Sequence, residues 1–439
     1  MSIALLDFTS LFAPGLPPAA GKWNGFAKYN FIGGHNDADQ LPLEMLVKAA
    51  NDVLMREGRT LATYGLSSGP QGYCALREFL AHKLERTAGI RCNTDEILIT
   101  SGSLQALDLV NGILLTRGDT VIIEQATYQG ALTRLQRLGV EAVGIPLDGE
   151  GMRVDALAAA LDDLKRCGVR PKYIYTVPTV QNPTGTILSE TRRREMLRLA
   201  AQYGVPIFED DCYSDLIWDG KRPPALYAMS QHGGVIHIGS FSKSVAPALR
   251  VGYIVAPWPL LARMLALKTD AGSGALEQMV LGEFCPRHFD AHVPALTRAL
   301  RAKLETLMDA LNEQFGTAAE FEDPKGGIFL WVKLPDNVDT QKLFAPALAG
   351  GVLPSTRAPN GRPTRTTAEA ERGCVLPIPR MSRSAPGSLL SPKCAGANSA
   401  CRRGLLMWNG RGHRARRKLN APAGTAARRI SQQLVQTCH

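Results

Sequence analysis

From residue 96 onward, short β-rich runs alternate with amphipathic stretches, and this alternation constrains the fold more than any other feature of the chain. The runs are EILIT (96–100), TVIIE (120–124), YIYTV (173–177), VPIFED (205–210), VIHIGS (235–240) and VGYIVA (251–256). Helical spacing fills 104–115, 129–138 and 190–203 between them. Strands separated by helices predict an α/β fold with a mostly parallel, helix-covered sheet. In such sheets ligands bind beyond the carboxyl ends of the strands. A Gly-, Asn- and aromatic-rich arm (22–45) and helical patterns at 43–57 and 73–86 precede the sheet. Helices at 258–268 and 292–315, then the strand GIFLWVKL (327–334), predict a smaller second domain. No internal repeat is found.

A chain of 439 residues can bury the cores of two or three domains. It contains no run of about 18 uncharged apolar residues, so no membrane span is expected. The opening MSIALLDFTSLFAPG has no basic segment ahead of its apolar residues, which argues against a secretory signal. Cys74, Cys92, Cys167, Cys212 and Cys285 are scattered through the body without a Cys-x-x-Cys pair. They read as free thiols of a reducing compartment, hence a cytoplasmic protein. No metal site is expected. The net charge of +10 misleads, because residues 353–439 hold 14 Arg and 2 Lys against only Glu369 and Glu371. The rest of the chain is net acidic and gives no electrostatic case for nucleic acid.

The chemistry concentrates at predicted strand ends. In GSFSKSVAPALRVGY (239–253), Lys243 follows a strand and lies between serines. Such a lysine can form an imine with an aldehyde cofactor. The hydroxyls of Ser240 and Ser242 and the fork of Arg250 suit a phosphate. Alone, Lys243 reads as a surface lysine in a serine-rich loop. FEDDCY places Asp210 at a strand end with Tyr213 three residues on. A carboxylate there can hold a pyridine ring protonated, and a phenol can tune the imine. Glu209 and Asp211 compete for the acid's role, and a solvated acidic turn is the plainer reading. PTVQNPTG (178–185) puts Asn182 in a turn after a strand, a pattern that says little by itself. TSGSLQAL (100–107) is strand, glycine turn and helix start, a potential anion site with Ser103 and Leu104 in its first turn. Tyr128, after the next strand, could stack on a ring or simply join the core.

Together and in this order, the pieces resemble the class I/II aminotransferases of fold type I, which use pyridoxal 5'-phosphate (PLP). The resemblance spans about residues 25–352 and is nearest the 2-aminoadipate/kynurenine aminotransferase-like branch, which also supplies the C-terminal domain of MocR-type regulators. It implies an aspartate-aminotransferase-like α/β fold with a seven-stranded sheet. The implied boundaries are an arm over 1–50, a large PLP domain over 51–290 and a partial small domain over 291–352. It also implies Lys243 as the Schiff-base lysine and proton shuttle, Asp210 against the pyridine nitrogen, and Tyr213 and Asn182 at the ring hydroxyl. Tyr128 would stack on the ring, while Ser103, Leu104, Ser240, Ser242 and Arg250 would hold phosphate. Tyr64, in TYGLSSGPQGYCALR (63–77), would reach the partner's phosphate in a homodimer. Gly33, Gly34 and Asn182 would line the substrate pocket. The implied reaction moves an amino group from an amino acid to a 2-oxo acid, with no nucleic-acid or membrane partner.

The pattern breaks after GGV (350–352). A strand carrying the arginine for the substrate carboxylate should follow, then a final helix. Residues 353–439 are instead rich in Arg, Pro, Ser, Gly and Ala, and read as an aberrant, disordered tail. Read one base to the left, Gly373–Pro379 can encode RLCFANP, which resembles the family's missing strand. Thr356–Gly361, Ser382–Ala385 and Ser388–Cys394 give family-like strings in the same frame and order. A frameshift near codons 352–355 is therefore the expectation, and with it a chain of impaired activity. Two other functions compete: a PLP lyase or decarboxylase of the same fold, and a regulator's effector domain. Only about 20 residues precede the arm, too few for a winged helix.

Overall fold

A computed structural model describes residues 34–230 and 233–335, with 7–14, 16–17, 19–23, 25–26, 29–30, 338, 342, 352–353, 355–357 and 373–377. Gly33 and most of the stretch 353–439 lie outside the described residues. The main sheet has seven strands: β1 (Ile97–Thr100), β2 (Thr120–Glu124), β3 (Glu141–Ile145), β4 (Ile174–Thr176), β5 (Ile207–Asp210), β6 (Val235–Ser240) and β7 (Gly252–Val255). Their order across the sheet is β1-β7-β6-β5-β4-β2-β3. Strands β3, β2, β4, β5 and β6 run parallel. Strand β7 is antiparallel to both β6 and β1. Six strands coincide with the predicted runs. The seventh, β3, did not announce itself: EAVGI is an edge strand, half exposed and broken by a glycine, so no continuous apolar run marks it.

Nine helices of the described residues cover this sheet: α1 (Leu43–Glu57), α2 (Cys74–Ala88), α3 (Gly102–Leu114), α4 (Gln129–Leu138), α5 (Val154–Arg166), α6 (Glu190–Tyr203), α7 (Leu226–Met229), α8 (Trp258–Leu267) and α9 (Ala275–Phe315). The two-residue period of the strands decides which helix each side chain meets. Leu98, Val121, Ile123, Phe208 and Ile254 point into one core with α3, α4 and α8. Ile97, Ile99, Tyr253 and Val255 face α1, α2 and α9 instead. Ile122, Ile174 and Ile207 pack under α5 and α6. Gly89, Gly139 and Gly204 end α2, α4 and α6 in left-handed conformations that a side chain would disfavour.

Helix α9 is longer than its sequence suggests. The pattern predicts a start near residue 292, yet the helix runs from Ala275 through Pro286 and Pro294. Each proline forfeits a backbone hydrogen bond. Burial of Met279, Leu281, Phe284 and Phe289 in the core shared with α2 offsets that loss.

A second sheet is antiparallel, with strands β8 (Glu320–Phe321), β9 (Phe329–Lys333), β10 (Ser355–Arg357) and β11 (Gly373–Pro377) in the order β8-β9-β11-β10. Two short segments of the stretch read as an aberrant tail thus fall in strands of this sheet. Gly373–Pro377 pairs with the whole of β9, from Lys333 to Phe329. The run GCVLP carries enough β-forming residues to take that edge. Val352–Leu353 pairs in parallel with Tyr29–Asn30. Among the described residues, no helix is long and apolar enough to cross a membrane.

Candidate active site

The carboxyl ends of β1, β2, β4, β5 and β6 open on one edge of the sheet, and the predicted residues gather there. Lys243 follows β6 by three residues. Its Nζ donates to the carbonyl of Gly34 at 2.7 Å and lies 5.9 Å from the centre of the Tyr213 ring. Burial pulls its pKa down from 10.5 to about 8; the Cys212 thiol opposes this and the Arg250 charge adds to it. Gly34 has φ +58°, and a Cβ there would stand 3.0 Å from both Lys243 Nζ and Phe329. A glycine is needed for the arm to approach the lysine.

Three consecutive acids end β5, and their partners separate their roles. Glu209 accepts from the backbone N–H groups of Leu226 and Tyr227 and lies 2.9 Å from His237 Nδ1. Asp211 pairs with Arg222 at 2.6 Å; burial alone would raise its pKa, but Arg222 and His237 bring it down to about 2. Asp210 differs from both in pairing with no cation among the described residues, although Asp211 Oδ1, like Asp210 Oδ1, is buried without a hydrogen-bond partner. Asp210 Oδ2 accepts from the Tyr175 hydroxyl at 2.7 Å. Burial pushes its pKa up, while Cys212 and Tyr175 pull the other way. Glu209 and Asp211 are thus tied to protein cations or amides, whereas Asp210 accepts from a neutral phenol and pairs with no cation among the described residues, which leaves it the candidate for the acid's role.

Asn182 Nδ2 donates to the Tyr213 hydroxyl at 2.7 Å. Burial holds that phenol well above its usual range. Their loop is unusual in two ways: the Asn182–Pro183 peptide is cis, and Val180 adopts φ +56°. A β-branched residue in the left-handed region stores strain, a feature that clusters at functional sites. Tyr128 caps α4, folds over Gly130, and feels the charges of Asp210 and Arg250.

The remaining residues frame the start of α3. Its first N–H groups, including that of Leu104, precede any helical acceptor and face outward from the helix end. Gly102 has φ +73°, and a Cβ there would collide with Arg250 Nη2 at 2.2 Å. Gly252 similarly lets the backbone of Gly102 and Ser103 close on β7. Arg250 itself takes φ +54° and reaches back to the carbonyls of Pro247 and Ser101. Ser240 Oγ accepts from the Ser242 N–H at 3.0 Å. Ser103 bonds the Cys212 thiol. One predicted residue stands apart. Tyr64 is 87% exposed on a short 3-10 segment. It lines an open groove with Ile99, Lys268 and Gln278.

Sequence reasoning missed Tyr175, Cys212 and Phe329. Tyr175 and Phe329 sit inside β-rich runs that read as plain core. Cys212 lies within FEDDCY, between two assigned residues, and its position was the only signal.

The donor set fits PLP on this structure's own terms. Among the described residues a buried acid oxygen lacks a hydrogen-bond partner, a desolvated amine donates to a carbonyl, and a glycine-lined helix start faces an arginine. The profile of the family described as aminotransferase class I and II matches residues 30–352. The chain belongs to that family. An aromatic-amino-acid aminotransferase of Thermococcus litoralis is 32% identical over 74% of this chain and 78% of its own length. A transcriptional regulator of the helix-turn-helix type from Bacillus subtilis is 34% identical over 73% of this chain, which spans 65% of the regulator. The crystal structure of the α-aminoadipate aminotransferase LysN of Thermus thermophilus superposes with a TM-score of 0.73 at 28% identity, covering 93% of this chain and 92% of that one. This aminotransferase has the α/β architecture expected of fold type I, depends on pyridoxal phosphate, and is a transaminase by family.

Proposed function

We propose that this aminotransferase holds PLP between Lys243 and Asp210 and exchanges amino groups between an amino acid and a 2-oxo acid. The bound cofactor supplies a carbonyl that condenses with amines and a ring that accepts the electron pair left when an α-proton departs. Lys243 is the anchoring amine and the base that takes that proton and returns it. Its low pKa keeps a useful fraction neutral near physiological pH. Asp210 Oδ1 would face the ring nitrogen and hold it protonated. Asn182 and Tyr213 would donate to the ring hydroxyl, and Tyr128 would stack on the ring. The N–H groups of Ser103 and Leu104, the hydroxyls of Ser240 and Ser242, and Arg250 bind the phosphate. Gly34 and Asn182 border the substrate.

The protein acts as a cytoplasmic homodimer in this reading. Leu43, Met45, Val47, Met55, Leu61 and Tyr64 are exposed along one stretch of chain, surface that a partner subunit would cover. Tyr64 then serves the partner's phosphate. The relatives' names direct the donor screen to aromatic amino acids and 2-aminoadipate.

One observation carries the proposal: a desolvated Lys243 and a partnerless Asp210 oxygen converge at the same strand ends. Adding PLP to the purified protein should produce an imine absorption band that Lys243→Ala abolishes. An unchanged band in that variant refutes the assignment. Product analysis with amino acid and 2-oxoglutarate separates transamination from lyase or decarboxylase chemistry.

A further inference from the structure

Behind the cofactor cleft lies a buried carboxylate that the reaction does not use directly. Glu124 ends β2 and is 1% exposed. Its Oε1 accepts from Thr176 Oγ1 at 2.7 Å and from the Val177 N–H at 3.0 Å. Its Oε2 accepts from Gln181 Nε2 at 2.9 Å and from Thr127 Oγ1 at 3.3 Å. Gln181 extends the knot, donating to the Ala126 carbonyl and accepting from the Thr184 N–H and hydroxyl. Thr127 immediately precedes Tyr128, and Gln181 immediately precedes Asn182. One side chain thus ties together the two loops that present both residues to the ring.

We propose that Glu124 is a positioning residue, clamping the Tyr128 loop to the Asn182 loop so that both meet the cofactor in a fixed register. The proposal rests on the reading that these two residues contact PLP. All four neighbours donate, which matches an ionised carboxylate. A protonated carboxyl would bring a fifth hydrogen to a site already full of donors. The charged and titratable groups nearby belong to three elements. Tyr175 on β4 feels the Glu124 charge and leads on to Asp210 on β5. Arg193 on α6 donates to Pro178 O and Thr179 Oγ1 of the same loop. Burial raises the Glu124 carboxyl from 4.5 to about 7 against the pull of its hydrogen bonds, so the clamp titrates near neutrality.

The test uses the full chain in two states. Without PLP, hydrogen exchange is measured at the amides of Val177 and Thr184 in wild type, Glu124→Gln and Glu124→Ala. The alanine variant should exchange there on the order of tenfold faster, while amides of β5 and β6 stay unchanged and report that the sheet has folded. With PLP, the bound-cofactor absorption is followed from pH 6 to 9. Wild type should show a component with a midpoint near 7 that Glu124→Gln lacks. Unchanged loop exchange in Glu124→Ala, or the same spectral titration in Glu124→Gln, overturns the proposal. The exchange arm needs no cofactor, so it still reads if the PLP assignment itself fails in the Lys243→Ala spectrum.

Discussion

The Tyr175 hydroxyl donates to Asp210 Oδ2 at 2.7 Å from the neighbouring strand, occupying one oxygen of the acid and leaving the other bare. The bond orients the carboxylate and favours its charged form against burial. Removing it should raise the Asp210 pKa further and weaken the acid's hold on a protonated ring. Tyr175→Phe is expected to lower PLP affinity on the order of tenfold, the cost of one hydrogen bond to a charged group. Cofactor titration by absorbance measures this, and wild-type affinity in the variant would contradict it.

Lys243 should make cofactor loading depend on pH. Its pKa falls from 10.5 to about 8, chiefly through burial. The neutral amine is the nucleophile, so the loading rate of the PLP-free protein should rise with pH and level off above about 8. The same shift has a sign for stability. Between pH 8 and 10.5 the unfolded chain binds the proton more tightly than the folded one. The folded state therefore carries the full cost of burying this ammonium below 8 and is relieved of it as pH rises toward 10.5. Stopped-flow loading from pH 6 to 10 checks the first point. A flat profile would sink it.

Gly102→Ala should injure the phosphate end selectively. The added Cβ would meet Arg250 Nη2 at 2.2 Å, and the backbone there holds φ +73°. The guanidinium must move, and the helix start must relax from a conformation that alanine resists. PLP affinity should fall on the order of tenfold or more, as expected for losing a charge-assisted contact. Pyridoxal without its phosphate should bind the variant and wild type alike. Equal loss for both compounds would mean that the cleft as a whole had shifted.

The sheet and its site were largely legible because both rest on local pattern. Six strands are dense in Val, Ile, Tyr and Phe, and the site residues follow their ends directly. What was not legible depends on partners distant in sequence. The choice of Asp210 over Glu209 and Asp211 rests on Arg222, His237 and Tyr175, which no spacing rule connects to FEDDCY. Glu124 looked like the polar end of an apolar strand, and only folding brings Thr176 and Gln181 onto it. The long α9 was hidden because Pro286 and Pro294 are local stop signals that tertiary packing overrides.

The tail yields the sharpest prediction. Gly373 opens β11 and pairs with Lys333 of β9. In the frame one base to the left, that position can encode an arginine, followed by Leu, Cys and Phe. Either reading is β-forming, so a strand can form here from both, but only one provides a cation for a substrate carboxylate. Without it, binding loses a bidentate charge pair, which costs about 1.5–3 kcal/mol at each hydrogen bond. The chain as written should therefore bind PLP yet transaminate poorly. A chain carrying the shifted frame from codon 352 onward should transaminate at least a hundredfold faster by the same arithmetic, about two such bonds. Sequencing the coding DNA is the first check, and stop codons in the shifted frame across this stretch would end the frameshift account. Assay of the purified chain is the second, and efficient amino transfer without the arginine would show that the carboxylate is held elsewhere.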